Sequence, residues 1–365
     1  MIKILQVLDC LATGGIQSFI MNVYERIDKS QYQFDFLVTR RFYGNLEKRA
    51  EELGAHIYVV PPRRKGIIKN KRALKEFFSA HNDYAVVHEH ESSLSYLAPL
   101  KAAKAAGIPK RIIHAHSSNQ SGIIHHFAHY INRKKLFKIV TDVFVCSDLA
   151  AQWFLGKNDD SFTFIPNGIK IDDFLFSNES RQAKLKELDI GADYKTIGLV
   201  GRLAEPKNHK YLIDVFDCLC SIDKKQKYKL LLIGGGGLKQ ELEQYAATKK
   251  CFENILFLGD RSDAAQLFSA MDLMIMPSIN EGLPVTLVEA QAAGLPCLVS
   301  ENVTKMVKVT DLLCYLPLSD GEQKWAIKAR ELLRCTDREK YQTTMKESVF
   351  NIENVIKKIE NEYKN

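Results

Sequence analysis

A single rhythm restricts this chain to very few folds. Short, β-branched, apolar runs alternate with amphipathic stretches of roughly 10–15 residues along nearly its whole length. Strands are predicted over residues 2–8, 33–38, 56–60, 85–88, 111–115 and 142–146, with helices over 15–27, 69–80, 94–106 and 150–155 between them. The pattern resumes with strands over 196–200, 229–233, 255–258, 273–276 and 296–299 and helices over 208–220, 238–247, 263–270 and 284–293. Apolar strands separated by helices make parallel sheets covered on both faces. The expected fold class is therefore α/β, with two Rossmann-like doubly wound domains facing across a cleft. Ligands of such folds sit beyond the C-terminal ends of the strands.

The rhythm breaks between residues 165 and 194, where a Pro-Asn-Gly turn leads into charged and polar residues. The boundary is placed there, giving a first domain over 1–170 and a second over 171–344. The tail from 337 to about 363 reads as one long amphipathic helix, and its part from about 345 to 365 is expected to pack back on the first domain. With 365 residues, both domains are large enough for a real core.

No stretch approaches the ~18 uninterrupted apolar residues of a membrane span. The opening ten residues are too short for a signal peptide and lack a small-residue cleavage site, so a cytoplasmic location is expected. The eight cysteines form no Cys-x-x-Cys pair and no zinc spacing, and buried thiols are expected. The net charge of +7 is uneven. Residues 1–170 hold 24 Lys and Arg against 15 Asp and Glu, a balance of +9, and the rest hold 27 against 29, a balance of −2. The excess clusters at Arg40-Arg41, Arg63-Arg64-Lys65, 69–75 and Arg133-Lys134-Lys135. Such a face attracts phosphates, of nucleic acid or of an anionic membrane, or is simply solvated.

Four patches follow strands, where the chemistry is expected. Thr13-Gly14-Gly15 precedes a helix; its glycines form a tight turn or admit a ligand close to the backbone. In the stretch from Gly201 to Asn208, Arg202 and Lys207 stand five apart across a loop, which suits two cations converging on a diphosphate. In the stretch from Pro277 to Ala290, Pro284 opens a helix whose first N–H groups suit a phosphate. Glu281 lies on the loop before it, and Glu289 lies inside it among apolar residues. Glu289 can accept hydrogen bonds from vicinal hydroxyls, as a ribose presents, and Glu281 can do so for a second sugar. The fourth patch runs from Ile112 to Ser118, where His114 and His116 share a strand face. A metal pair is conceivable there, but matching carboxylates are missing, and one histidine hydrogen-bonding a substrate is more economical. Gly234-Gly235-Gly236-Gly237 fails the dinucleotide fingerprint because Lys239 occupies the last glycine position, which sets hydride transfer aside.

These residues resemble the family-4 glycosyltransferases of GT-B architecture, the type that assembles bacterial exopolysaccharide, capsule and lipopolysaccharide. The likeness covers nearly the whole chain. It rests on Gly14-Gly15, Ile165-Pro166-Asn167-Gly168-Ile169, Gly201-Arg202-Leu203 with Lys207, and above all Glu281 and Glu289 with seven residues between them. The resemblance implies that the first domain, 1–170, binds the acceptor and the second, 171–344, the nucleotide-sugar donor, that Arg202 and Lys207 bind the donor diphosphate, that Glu281 contacts the transferred sugar and that Glu289 holds the ribose. It also implies a histidine beside the donor sugar; His116 matches by position, with His114 in reserve. The expected donor site is Gly14, Gly15, Arg202, Lys207, Glu281, Gly282, Leu283, Pro284, Val285, Thr286, Leu287 and Glu289, and the expected catalytic set is His116, Glu281, Arg202 and Lys207. No metal and no cofactor beyond a nucleotide-diphosphate sugar co-substrate are expected, with uridine favoured as the base and guanosine next.

The resulting expectation is a retaining transferase that moves a hexosyl or N-acetylhexosaminyl group to a lipid-linked glycan, and not a nucleic-acid-binding protein. Front-face attack is favoured over a covalent Glu281 intermediate, since no second carboxylate is evident beside Glu281. The basic first half suits peripheral attachment to the inner face of the plasma membrane. The stretch 123–140 mixes Phe127, Tyr130, Leu136 and Phe137 with histidines and cations, which suits an interface or an ordinary amphipathic helix. The competing readings are a sugar-nucleotide epimerase of similar shape and a sugar-nucleotide-binding protein without catalysis.

Overall fold

A computed structural model of the chain describes residues 1–12, 14–116, 123–156, 161–334 and 337–364. They form two compact units, Met1–Gly168 together with Ile352–Asn365, and Ile169–Asn351. The first unit holds β1 (Ile2–Val7), β2 (Tyr32–Val38), β3 (Ile57–Val59), β4 (Val86–Glu91), β5 (Lys110–Ala115), β6 (Asp142–Val145) and β7 (Thr163–Phe164) in one sheet of order β3-β2-β1-β4-β5-β6-β7. The second holds β8 (Tyr194–Val200), β9 (Lys227–Ile233), β10 (Ile255–Gly259), β11 (Leu273–Met276), β12 (Cys297–Ser300) and β13 (Leu313–Leu316) in the order β10-β9-β8-β11-β12-β13. Neighbouring strands pair in parallel throughout. Each unit is thus doubly wound, and in each the strand order reverses beside its first strand, between β1 and β4 and between β8 and β11. That reversal is where loops splay apart and leave room for a ligand.

The period of two sorts the first sheet's side chains onto two faces. Ile4, Phe34, Phe36, Ile112 and Phe144 pack under the helices Gly15–Arg26 and Ile352–Lys364. Leu5, Leu37, Val87, Ile113 and Val145 pack under the helices Ile67–Ala80, Ala98–Ala105 and Asp148–Phe154. Gly168 explains the Pro-Asn-Gly turn: a Cβ there would stand 2.8 Å from Val355 Cγ2 and 3.0 Å from Ile352 Cα.

The long tail helix is corrected. It is two helices, Gln342–Glu347 in the second unit and Ile352–Lys364 in the first, broken where Phe350 turns inward and Ser348 bonds back to Met345. Residues 345–351 therefore belong to the second unit. The edge strands β7 and β13 and the helices Asn45–Glu52, Asn178–Glu187 and Gly321–Leu332 were not expected from the apolar pattern. Asn178–Glu187 buries no residue, so it carries no apolar stripe; the Ser177 hydroxyl caps its first turn instead. Among the described residues no helix is long and apolar enough to cross a membrane, and the described cysteines carry no disulfide. Cys218, Cys220 and Cys314 are only partly buried, against the expectation for thiols of this kind.

Candidate functional site

In the second unit, the loops leaving β8, β9 and β11 build one site. After β8 the chain runs Gly201-Arg202-Leu203, makes a short turn over Glu205–Lys207, and enters the helix His209–Ile222 through Asn208, whose φ of 55° is left-handed. After β9 the glycine turn lies directly against this loop: Leu203 N–H donates to Gly235 O at 2.8 Å and Gly201 N–H to Ile233 O at 2.9 Å. Gly234 and Gly236 have φ of 132° and 154°, and a Cβ on either would overlap a carbonyl oxygen of the 201–203 loop. The glycines rejected as a dinucleotide fingerprint therefore serve close packing. Together with Arg202, Asp260 and Arg261 they line a cavity of about 860 Å³.

Arg202 is exposed and carries no ion pair among the described residues. Lys207 crosses Gly201 and its Nζ meets Glu281 Oε1 at 2.7 Å, each side chain only 16% exposed. Ile279 N–H donates to Pro206 O at 2.8 Å, so the loops after β8 and β11 are joined by backbone as well as by charge. Lys207 and Glu281, separated by 73 residues, thus share one contact. Gly282 and Leu283 continue the loop, Pro284 caps the helix Val285–Ala292, and Leu287 is buried. Thr286 Oγ1 is enclosed without a partner in that helix's first turn. Glu289 sits one turn deeper, and burial pushes its carboxyl up to about 7.

In the first unit, Gly14 caps the helix Gly15–Arg26, and Gly15 faces open space. Thr13, Ser117 and Ser118 lie outside the described residues. His116 directly follows β5 and is half-buried, whereas His114 is fully enclosed with neither ring nitrogen partnered. They belong to a cluster with His88 and His90 on β4, because residues of equal parity on neighbouring strands share a face. A hydrogen-bond chain runs through it. Gln6 Oε1 accepts from His90 Nε2–H at 2.8 Å, so His90 Nδ1 accepts from His116 Nε2–H at 2.9 Å. His116 Nδ1 is left as an enclosed, unpartnered acceptor. Gln6 also donates to Tyr363 OH at 3.2 Å, and that hydroxyl bonds His88 Nδ1 at 2.7 Å. Burial holds all four imidazoles below their usual range, His116 at about 3. Nitrogens of His88, His90 and His114 lie within 4.8 Å of one another, but His88 and His90 are already engaged in this network and, among the described residues, no carboxylate joins the group.

Several residues here were not expected from sequence: the glycine turn as a site wall, His88, His90 and Gln6, and His209. His209 opens its helix buried, with both ring nitrogens unpartnered, and burial beside Lys207 lowers it to about 4. The signal for the histidines was present in the alternation His88-Glu89-His90-Glu91.

The family model "Glycosyltransferase Family 4" matches residues 13–173, and "Glycosyl transferases group 1" matches residues 180–313. EpsF of Bacillus subtilis (strain 168), named as a glycosyltransferase, is 30% identical over 336 residues, covering 89% of this chain and 86% of that one. A protein of Escherichia coli named UDP-Gal:alpha-D-GlcNAc-diphosphoundecaprenol alpha-1,3-galactosyltransferase is 24% identical over 79% of this chain and 76% of its own. Among solved structures, a glycosyltransferase of Rickettsia africae ESF-5 superposes with a TM-score of 0.80 at 18% identity, covering 100% of this chain and 98% of that one. Anabaena Alr3699/HepE in complex with UDP and glucose gives 0.76 at 17% identity, with 100% of both chains covered.

Proposed function

This chain belongs to the family-4 glycosyltransferases of GT-B architecture, and from that premise we propose that it is a retaining, metal-independent enzyme that moves a hexosyl or N-acetylhexosaminyl group from a UDP-sugar to a lipid-linked glycan in surface-polysaccharide assembly. The observation that carries the reading is the convergence of Arg202, the Gly234–Gly236 turn, Lys207 and Glu281 at the ends of β8, β9 and β11. The Escherichia coli relative, whose name specifies UDP-Gal and a diphosphoundecaprenol-linked sugar, and the UDP and glucose held by the Anabaena protein support the choice of substrates.

The chemistry follows from charge. As the glycosidic bond to the diphosphate lengthens, negative charge gathers on the leaving oxygens, and Arg202 and Lys207 stabilise it. Lys207 exchanges Glu281 for the phosphates, which frees the Glu281 carboxylate for hydroxyls of the transferred sugar. Glu289 accepts from the ribose, the first turn at Val285, Thr286 and Leu287 offers N–H groups to phosphate, and His116 hydrogen-bonds the sugar through Nδ1. The acceptor attacks on the face the diphosphate leaves, and a departing phosphate oxygen takes its proton. Gly14 and Gly15 let the backbone approach the donor.

The enzyme works at the inner face of the plasma membrane without spanning it. Exposed Phe127, Tyr130 and Phe137 alongside Arg133 support this surface role. The test incubates the protein with a panel of nucleotide-sugars and a lipid-linked acceptor. A longer glycan is expected; an isomerised donor or binding without turnover would replace this reading. Arg202→Ala should lower transfer about 10²–10³-fold with the fold intact, and full activity would remove the diphosphate assignment.

A further inference from the structure

Two cations line the second unit's cavity of about 860 Å³, Arg202 and Arg261. A polyanionic donor could draw on both, but their surroundings separate them. Arg202 carries no ion pair among the described residues, whereas Arg261 is committed elsewhere. Its Nε and Nη2 make a fork on Asp263, at 2.7 and 2.6 Å, and Nη2 also reaches Glu187 Oε1 at 2.5 Å. Lys184 Nζ closes the ring, 2.6 Å from Glu187 Oε2 and 2.5 Å from Asp263 Oδ2. The Arg261 guanidinium, with Lys184 beside it, holds the Asp263 carboxyl well below its ordinary range. Two carboxylates on one guanidinium leave it badly placed to serve a phosphate.

Lys184 and Glu187 belong to the helix Asn178–Glu187, which has no buried residue and is placed by polar contacts. At one turn Arg181 Nη1 donates to the Ala270 carbonyl and Nη2 to Asp272 Oδ1, both at 3.0 Å. One turn on, Lys184 and Glu187 grip Asp263 and Arg261. The loop leaving β10 is tied to the glycine turn as well. Gly235 N–H donates to Asp260 Oδ1 at 2.6 Å, and Gly234 N–H to Gly259 O at 2.8 Å. Residues 259–263 are thus held between two anchors, and Asp260, Arg261 and Ser262 between them line the cavity.

We infer that Arg261 is a positioning residue: tethered by Glu187 of the neighbouring helix, it sets the cavity wall at residues 260–262 against the part of the donor that lies beyond its phosphates. This rests on the transferase reading above, which gives the diphosphate to Arg202 and Lys207, and it extends that reading by giving the helix Asn178–Glu187 a part in donor affinity. Glu187 is not among the described residues that line the cavity. The two roles open to Arg261 therefore differ in sign. If its charge acted on the phosphates, removing the Glu187 charge would free the guanidinium and make the local potential more positive, and a polyanion would bind more tightly. If Arg261 acts through the wall, the same change loosens the loop and a nucleotide binds more weakly.

The experiment is calorimetric titration of the full chain with UDP and, separately, with inorganic pyrophosphate. Glu187→Gln is expected to weaken UDP about fivefold or more and to leave pyrophosphate within about twofold of wild type. Arg261→Gln is expected to do the same, and the double variant to fall no more than about twofold below the weaker single one. Arg261→Lys keeps the charge but loses the planar fork, so it should bind UDP as weakly as Arg261→Gln. Retained pyrophosphate binding shows that each variant is folded, and the Glu187 side chain is 41% exposed, so its replacement does not endanger the fold. Glu187→Gln binding UDP as tightly as wild type, or more tightly, overturns the inference alone. Equal weakening of UDP and pyrophosphate, or rescue by Arg261→Lys, overturns it too. A wild type that binds no UDP would sink the donor reading and this inference together.

Discussion

Replacing Lys207 tests whether one ion pair fastens the donor loops together. Lys207 Nζ and Glu281 Oε1 are 2.7 Å apart. At an effective dielectric near 20 the attraction is about 6 kcal/mol before desolvation is charged against it. Both side chains are 16% exposed, so much of that gain offsets the loss of hydration. A coupling of about 1–3 kcal/mol should survive. Trp153 lies in the first unit and Trp325 in the second, so in a Trp153→Phe background urea unfolding followed by fluorescence reports the second unit alone. In that background Lys207→Met and Glu281→Gln should each destabilise, and the double variant should lose clearly less than their sum. A coupling within about 0.3 kcal/mol of zero would refute the idea that charge joins the loops after β8 and β11. In transfer assays Lys207→Met should also reduce kcat about 10²–10³-fold.

Gly236→Ala forces a side chain into the Leu203 backbone at a φ of 154°, and should lower stability by about 1–3 kcal/mol while weakening UDP binding; thermal unfolding and titration with UDP check both. His90→Phe removes the acceptor for His116 Nε2–H, so kcat should fall about tenfold with the donor KM nearly unchanged, and His90→Asn should restore part of it; equal turnover in all three proteins would show that the chain does not orient His116. For Glu289 the folded carboxyl titrates near 7 against an ordinary 4.5 when unfolded. The native state therefore holds the extra proton between those values. The associated stability is fully present below pH 4.5 and is lost as pH rises through about 7. Glu289→Gln should flatten that part of a pH–stability curve, and an unchanged slope would contradict the burial of this carboxyl.

The strands were legible because parallel strands buried on both faces must be apolar, as β11 at Leu273–Met276 is throughout. β4 was cut short at residue 88, since His-Glu-His-Glu reads as polar; its burial comes from neighbours and not from its own composition. Asn178–Glu187 left no trace because nothing on it is buried. The single tail helix was misread because Ser348 to Asn351 carry no proline or glycine, and what breaks the helix is Phe350 seeking the interior. Of the candidate site, the residue types and their loops could be read, but the Lys207–Glu281 contact depends on β8 lying beside β11. Spacing along the chain holds no record of that.

The helix Ile352–Lys364 sets an order on how this molecule comes into being. Val355, Ile356, Ile359 and Tyr363 cover the face that Ile4, Phe34 and Phe144 present, and they follow the whole second unit in sequence. The second unit is continuous in sequence and can fold as it emerges, while the earlier-made sheet waits with an oily side open until the helix Ile352–Lys364 follows. The unit that starts first is thereby closed after the other, and the Tyr363 hydroxyl, bonded to Gln6 and His88, makes the histidine network itself contingent on that late helix.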